Sequence, residues 1–105
     1  MMELQSNTLV YKFPEIHPNA EFRITFQRTL RIPDDGKTYP LPPSLASFPL
    51  RKIDDFADKL PASSTKRGGV IMPMYQSEAM WISFYSKNIP GHWQRYPFAV
   101  KIATG

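Results

Sequence analysis

Apolar and polar side chains alternate most clearly between residues 21 and 32. Phe22, Ile24 and Phe26 occupy even positions, and polar residues fill the odd ones. Because successive side chains of a strand point to opposite faces, this pattern predicts a strand with one buried and one solvated face. Arg28 alone interrupts the apolar row. Twelve residues exceed the usual strand length, so we expect a bulge or bend near Arg28.

The densest run of large apolar residues lies between residues 68 and 86. Short runs rich in β-branched and aromatic residues predict buried strands at 70–72 and 79–85, joined by a polar reversal at 75–78. We expect this stretch to form the centre of the core. Truncation of a buried Trp costs roughly 3–5 kcal/mol, so Trp81→Ala is expected to come close to unfolding the domain.

Other patterns predict two further strands, one helix and one turn. Alternation predicts strands at 8–13 and 98–102. Apolar residues spaced at i, i+3, i+4 and i+7 predict a helix at 53–60, which Pro61 closes. The sequence Pro-Asp-Asp-Gly-Lys at 33–37 is typical of a turn, in which Asp side chains bond the local backbone and Gly accepts a positive φ.

Together these elements predict an α+β domain. It consists of a mostly antiparallel sheet of about five strands with one short helix near 53–60, in a single domain over residues 1–105. Residues 62–69 are expected to form a flexible loop. Four prolines predict an extended connector at 39–49, anchored on the sheet by apolar side chains. The expected anchors are Leu41, Leu45, Phe48 and Leu50.

Composition excludes several classes of protein. The chain has no Cys, which rules out disulfides and thiolate metal sites and suits a reducing cytoplasm. No segment reaches the roughly 20 apolar residues of a membrane span. A net charge of +4 allows contact with anionic partners without demanding it. We therefore expect a cytoplasmic protein.

No pattern of catalytic or metal-ligating residues stands out. His17 and His92 lie far apart, with no paired ligand spacing. No nucleophile turn of the Gly-x-Ser-x-Gly type is present. Asp34 and Asp35 could form a cation site, but their context favours a turn. The sequence thus favours a protein without a cofactor or a catalytic site.

The most distinctive polar and aromatic cluster comprises Tyr75, Gln76, Glu78 and Trp81. If Tyr75 and Trp81 line a concave surface, Gln76 and Glu78 could orient a small ligand there. The alternative, which we favour, is that these residues serve the turn and the core.

A second candidate site is a basic sheet face that could bind nucleic acid. Arg23 and Arg31 share the polar face of the long strand, and Arg28 would join them only if a bulge turned it outward. Lys66 and Arg67 could extend the surface. Glu21 dilutes this patch, and a solvated sheet face is the favoured alternative.

Several blocks resemble an uncharacterised bacterial protein family. They are residues 26–36 (FQRTLRIPDDG), 39–45 (YPLPPSL), 48–50, 67–76 (RGGVIMPMYQ) with 78–81, and 98–101. In that family these blocks open a longer protein, so the resemblance implies that this chain forms the N-terminal part of such a protein. The family brings no established activity and no catalytic residues.

The function that the sequence favours is a protein-interaction or structural module. An open sheet leaves unpaired backbone groups at its edges, which invite a strand from another chain. The expected partner is another protein or a second copy of this chain. Nucleic-acid binding and small-ligand binding remain the alternatives.

Overall fold

The computed structural model describes residues 2–33, 35–40, 42–76 and 78–103. They form a mostly antiparallel five-stranded sheet, a separate two-stranded sheet, one short α-helix and one 3₁₀ helix, which confirms the predicted fold class. The five-stranded sheet contains β1 (Met2–Gln5), β2 (Thr8–Lys12), β3 (Glu21–Thr29), β4 (Ala46–Ser47) and β7 (Ala79–Ser86). The small sheet pairs β5 (Arg51–Lys52) with β6 (Val70–Ile71), and the helices are the 3₁₀ helix Ile53–Phe56 and α1 (Ala62–Arg67).

Strand β3 is the centre of the five-stranded sheet. Along one side it pairs with β7 over eight of its nine residues, from Phe22 opposite Ser86 to Thr29 opposite Ala79. Its other side pairs first with β2 and then with β4. Because directly opposite residues share a face, the even residues of β3 and β7 form one apolar face. The odd residues form a mainly polar face.

The N-terminal hairpin was not predicted. Strands β1 and β2 are joined by Ser6 and Asn7, which both have positive φ, at 46° and 64°. Positive φ at both loop residues matches the twist of the strands, and Asn tolerates this conformation. The alternation in β1 spans only four residues, which is too short to stand out in the sequence.

The helical residues differ in position from the prediction. Residues 53–60 contain a 3₁₀ helix, Ile53–Phe56, whereas α1 lies at Ala62–Arg67, in the segment predicted to be a loop. Pro61 precedes the α-helix instead of only closing the earlier one, since a proline at a helix start loses no hydrogen bond. Gly68, at φ 70°, ends α1 and donates its N–H to the carbonyl groups of Ser64 and Thr65.

Strand β3 ends at Thr29, three residues earlier than predicted, and carries no bulge. Its ladder with β7 continues without interruption past Arg28. Arg28 therefore stays on the apolar face, where its guanidinium lies 4.7 Å from the ring centroid of Phe48. Leu30 and Ile32, which were expected on the buried face, are exposed.

The predicted strand at 98–102 is wrong, because these residues form no ladder. They instead run as an irregular segment over the apolar face. The ring of Phe98 contacts the rings of Phe22 and Phe13, at centroid distances of 4.9 and 5.6 Å. Phe98 therefore contacts the sheet through its side chain, without pairing of the backbone.

The most deeply buried side chains come from the connector and β2, and not from residues 68–86. Phe48, Leu50 and Val10 are the largest fully buried side chains, whereas Ser86 is the only buried residue among those described between 68 and 86. The expected anchors Phe48 and Leu50 are thus confirmed. Leu45 is exposed, and Leu41 lies outside the described residues.

Polar contacts attach the connector to β3. The N–H groups of Leu45 and Phe48 donate to the carbonyl oxygens of Arg28 and Phe26, each at 2.8 Å. Ser44 donates its hydroxyl to the Gln27 side chain at 2.6 Å. These bonds explain how a proline-rich segment packs beside a strand. The few N–H groups of the connector donate to the part of β3 that lies beyond the end of β2.

The turn at 33–37 forms largely as predicted. Gly36 has a φ of 75°, and the side chain of Asp35 accepts a hydrogen bond from the N–H of Lys37 at 3.0 Å. A hydrogen bond from the hydroxyl of Tyr39, followed by that from Lys37, holds the pKa of the Asp35 carboxyl below its ordinary value. Asp34 lies outside the described residues.

The described chain forms a thin plate, and much of its apolar surface is exposed. Its radius of gyration is 16.7 Å and its extents are 45 × 43 × 24 Å, whereas a compact chain of 100 residues has a radius of about 13 Å. Exposed large apolar side chains include Ile16, Leu30, Leu45, Trp93 and Ile102. A single layer of sheet cannot bury both of its faces, so part of the apolar surface stays exposed.

Candidate interaction edge

Strand β7 is an open edge of the five-stranded sheet. Its eight residues pair with β3 on one side only. It is also the longest edge strand, since β1 has four residues and β4 has two. Its outer side therefore presents a row of backbone donors and acceptors.

The hydrogen bond between Lys87 and Glu21 shows which backbone N–H and C=O groups of β7 point away from β3. The N–H of Lys87 donates to the carbonyl oxygen of Glu21 at 3.4 Å, in the same register as the β3–β7 ladder. Hydrogen-bonded pairs alternate along an antiparallel ladder, so the backbone groups of odd residues in β7 face β3. Those of Met80, Ile82, Phe84 and Ser86 face away from it.

Three of these four residues have free backbone groups. Ser86 is the exception, because its carbonyl oxygen accepts a hydrogen bond from Nη1 of Arg95 at 3.3 Å. Among the residues that the structure describes, the outward N–H and C=O groups of Met80, Ile82 and Phe84 have no hydrogen-bond partner. These six groups form the candidate site, which we call the β7 edge.

The β7 edge lacks the features that usually protect an edge strand. Its sequence, AMWISFYS, contains no charged residue and no proline. By contrast, the opposite edge strand β1 is short and carries Glu3, which forms an ion pair with Lys12 at 3.3 Å. Proteins discourage strand addition with short edges, charges and proline. The chain therefore protects one edge of its sheet and leaves the other open.

The apolar face next to the β7 edge is only partly covered. Residues 98–103 cross it and leave a cleft on either side. One cleft, of about 290 Å³, has aromatic side chains in its lining, among them Phe13, Phe22 and Phe98. The other, of about 300 Å³, reaches Ile82 and Phe84. Phe84 stays 45 % exposed although its ring stacks on that of Phe22 at 5.8 Å.

The polar face carries a buried carboxylate, that of Glu21, at the start of β3. Glu21 is 5 % exposed, and its Oε2 lies 2.9 Å from Nε of Arg23 and 3.7 Å from Nζ of Lys87. Burial raises the pKa of Glu21, but the hydrogen bond and charge of Arg23, together with the charges of Lys87 and Lys12, outweigh it. The pKa of Glu21 is therefore lowered, and the carboxylate stays charged at neutral pH.

The predicted ligand-binding residues are divided between two faces. Glu78 accepts a hydrogen bond from the N–H of Tyr75 at 2.8 Å and lies 3.8 Å from Nε of Arg28, on the apolar face. Trp81 is opposite Gln27 on the other face. Tyr75 is 75 % exposed, and Gln76 is exposed in the turn. Glu78 therefore serves the turn and Arg28, away from Trp81.

The predicted nucleic-acid-binding residues are also dispersed. Arg23 lies on the polar face in an ion pair with Glu21, whereas Arg28 lies on the apolar face. Arg31 follows the end of β3, and Lys66 and Arg67 belong to α1. The structure does not turn Arg28 outward, so the condition under which it would join the basic face is not met.

Sequence reasoning expected open sheet edges but did not identify residues 79–86 as one of them. The signal was present, because eight residues without charge or proline at 79–86 are unusual for an edge strand. Whether that strand is central or at an edge depends on residues 98–102, which were predicted to pair in the sheet and do not. The edge could therefore be recognised only from the pairing.

Two other kinds of site find no support among the described residues. No group of three His, Asp or Glu side chains in this part of the chain could hold a metal ion. None of the described helices is long and apolar enough to cross a membrane.

No family model, curated protein or solved structure matches this chain. The resemblance of residues 26–101 to a bacterial family stays a prediction.

Proposed function

We propose that this chain is a protein-interaction module that binds an extended segment of another polypeptide along the β7 edge. The observation that carries this proposal is the row of unpartnered backbone groups at Met80, Ile82 and Phe84, on an edge strand without charge or proline. In strand addition, main-chain hydrogen bonds supply affinity, and side-chain surfaces next to the edge supply selectivity.

The apolar face supports the proposal because it continues to the edge. A bound strand would place every second side chain on the same face as Ile82 and Phe84. Phe84 and Ile102 are exposed there, so apolar side chains of the ligand would lose water contact at this position. We infer that a ligand with alternating apolar residues is preferred, and we place the module in the cytoplasm, in keeping with its lack of Cys.

Nucleic-acid binding remains the alternative, with less support. The cations proposed for it are not on one surface, and Glu21 and Glu78 lie next to two of them. Binding through scattered cations alone would be weak and would fall steeply as salt rises.

The proposal can be tested with a labelled synthetic peptide of alternating Thr and Val, acetylated and amidated at its ends. Ile82→Pro removes the outward N–H at the centre of the edge, whereas the matched variant Ile82→Ala loses the side chain and keeps the N–H. We expect fluorescence anisotropy to show binding by the parent and by Ile82→Ala and at least a tenfold loss in Ile82→Pro, about 1.4 kcal/mol.

Amide exchange measured by NMR locates the peptide independently. The amides of Met80, Ile82 and Phe84 should become protected when the peptide is added, while those of the odd residues of β7 are already protected by β3. Equal binding by the proline and alanine variants, or protection that leaves these three amides unchanged, would refute the proposal.

A further inference from the structure

We infer that the polypeptide bound at the β7 edge is the β7 strand of a second copy of this chain, in antiparallel pairing about a twofold axis at Ile82. This inference rests on the proposed function and adds the identity and register of the partner. It joins two five-stranded sheets into one continuous sheet.

The free backbone groups are symmetric about Ile82. An axis at Ile82 places it opposite Ile82 of the second copy and places Met80 opposite Phe84 of that copy. All three pairs then exchange hydrogen bonds, because the same outward orientation applies in both copies. Each copy would donate three N–H groups and accept with three C=O groups, which uses all six groups of the β7 edge.

Other twofold registers use a group that is already occupied. An axis at Ser83 would pair Met80 with Ser86 of the second copy, and an axis at Phe84 would pair Ile82 with that Ser86. Both arrangements compete with Arg95 for the carbonyl oxygen of Ser86. Axes at Trp81 and Met80 leave this bond in place but pair Phe84 or Ile82 with Glu78 of the second copy, whose N–H already donates to the carbonyl oxygen of Tyr75 at 3.2 Å. Only the axis at Ile82 pairs the three residues with unoccupied groups alone.

The side chains of β7 are compatible with their own copies. No charged residue lies between Ala79 and Ser86, so self-pairing brings no like charges together. On the apolar face Met80 meets Phe84, and on the other face Trp81 meets Ser83, so neither face buries an unpaired ion at the junction. The exposed ring of Phe84 would then be covered by a thioether side chain.

Because the chain has no Cys, single cysteines can report the register directly. The test compares Ile82→Cys, Ser83→Cys and Phe84→Cys under mild oxidation, followed by non-reducing electrophoresis over time. In the inferred register the two Cα atoms at position 82 are about 5.5 Å apart, within the range of about 4.4–6.8 Å that a disulfide spans. The two residues at position 84 are not opposite each other in this register. They lie four residues apart along the strands, a distance of about 13 Å.

We expect Ile82→Cys to form a disulfide-linked dimer at least roughly tenfold faster than either of the other variants. Faster cross-linking at Ser83→Cys or Phe84→Cys would overturn the register about Ile82. The parent chain, which has no Cys, is measured by light scattering and should give the mass of a dimer.

A monomeric mass at high concentration, together with no cross-link at any of the three positions, would overturn the second copy as partner. If the Thr/Val peptide still binds the parent and fails to bind Ile82→Pro, the proposed function stands and only self-pairing falls. If neither the peptide nor a second copy binds, both proposals fall.

Discussion

Replacement of Phe48 by alanine tests whether the connector, rather than residues 68–86, supplies the core. Phe48 is 0 % exposed, and its ring lies under the guanidinium of Arg28 at 4.7 Å. Loss of a buried Phe side chain costs about 3–5 kcal/mol, and the lost contact with Arg28 adds about 0.5–1 kcal/mol. A domain of this length is stable by roughly 5–15 kcal/mol, so Phe48→Ala removes a large share of the total.

Urea unfolding followed by far-UV circular dichroism measures this change, and thermal melting should show Tm lowered by roughly 15–30 °C. The matched control is Phe84→Ala, because Phe84 belongs to the apolar face but is 45 % exposed. We expect that variant to lose about 1–2 kcal/mol. A Phe48→Ala protein within about 1 kcal/mol of the parent, or one more stable than Phe84→Ala, would contradict our placement of the core.

Three further substitutions test local features. Because the folded pKa of Glu21 is lowered, its contribution to stability is present above the ordinary value of 4.5 and is lost as pH falls through the folded value. Glu21→Gln should therefore flatten the decrease in unfolding free energy below pH 4.5, and a slope equal to that of the parent would contradict this role of Glu21. Arg28→Met should change the free energy of urea unfolding by less than about 1 kcal/mol, because its ion pair with Glu78 is long, at 3.8 Å, and both side chains keep contact with water. A loss above about 2 kcal/mol would show that the ion pair with Glu78 is required. Trp81→Phe should be nearly neutral in thermal melts, since Nε1 of Trp81 is buried with no hydrogen-bond partner among the described residues. A large loss would indicate a partner for that donor.

Sequence alternation identified the three longest strands of the five-stranded sheet. It placed β2, β3 and β7 correctly to within a few residues, because each has at least four alternating positions and a sheet neighbour. It failed where the pattern has another origin. In 98–102, Phe98 packs on the sheet although the backbone forms no strand, and a pattern of side chains cannot distinguish these two cases.

The short elements were harder to predict for a physical reason. A six-residue helix such as α1 has no buried residue and therefore no apolar stripe. Its signals are Pro61 before it and Gly68 after it, and these also occur in loops. The candidate site was harder still, because strand addition depends on free N–H and C=O groups, which every residue except proline has. Only the observed pairing shows where they are left over.

The position of β3 at the centre of the sheet has a consequence for how this chain acquires its structure. Its partner β2 is next to it in sequence, but β7 arrives only after residues 30–78. During synthesis one side of β3 therefore stays unpaired, with Phe22, Ile24 and Phe26 unprotected, until residues 79–86 have been made. Folding that waits for such distant pairing is slow and open to aggregation. We expect chaperone binding to the nascent chain to end when β7 leaves the ribosome.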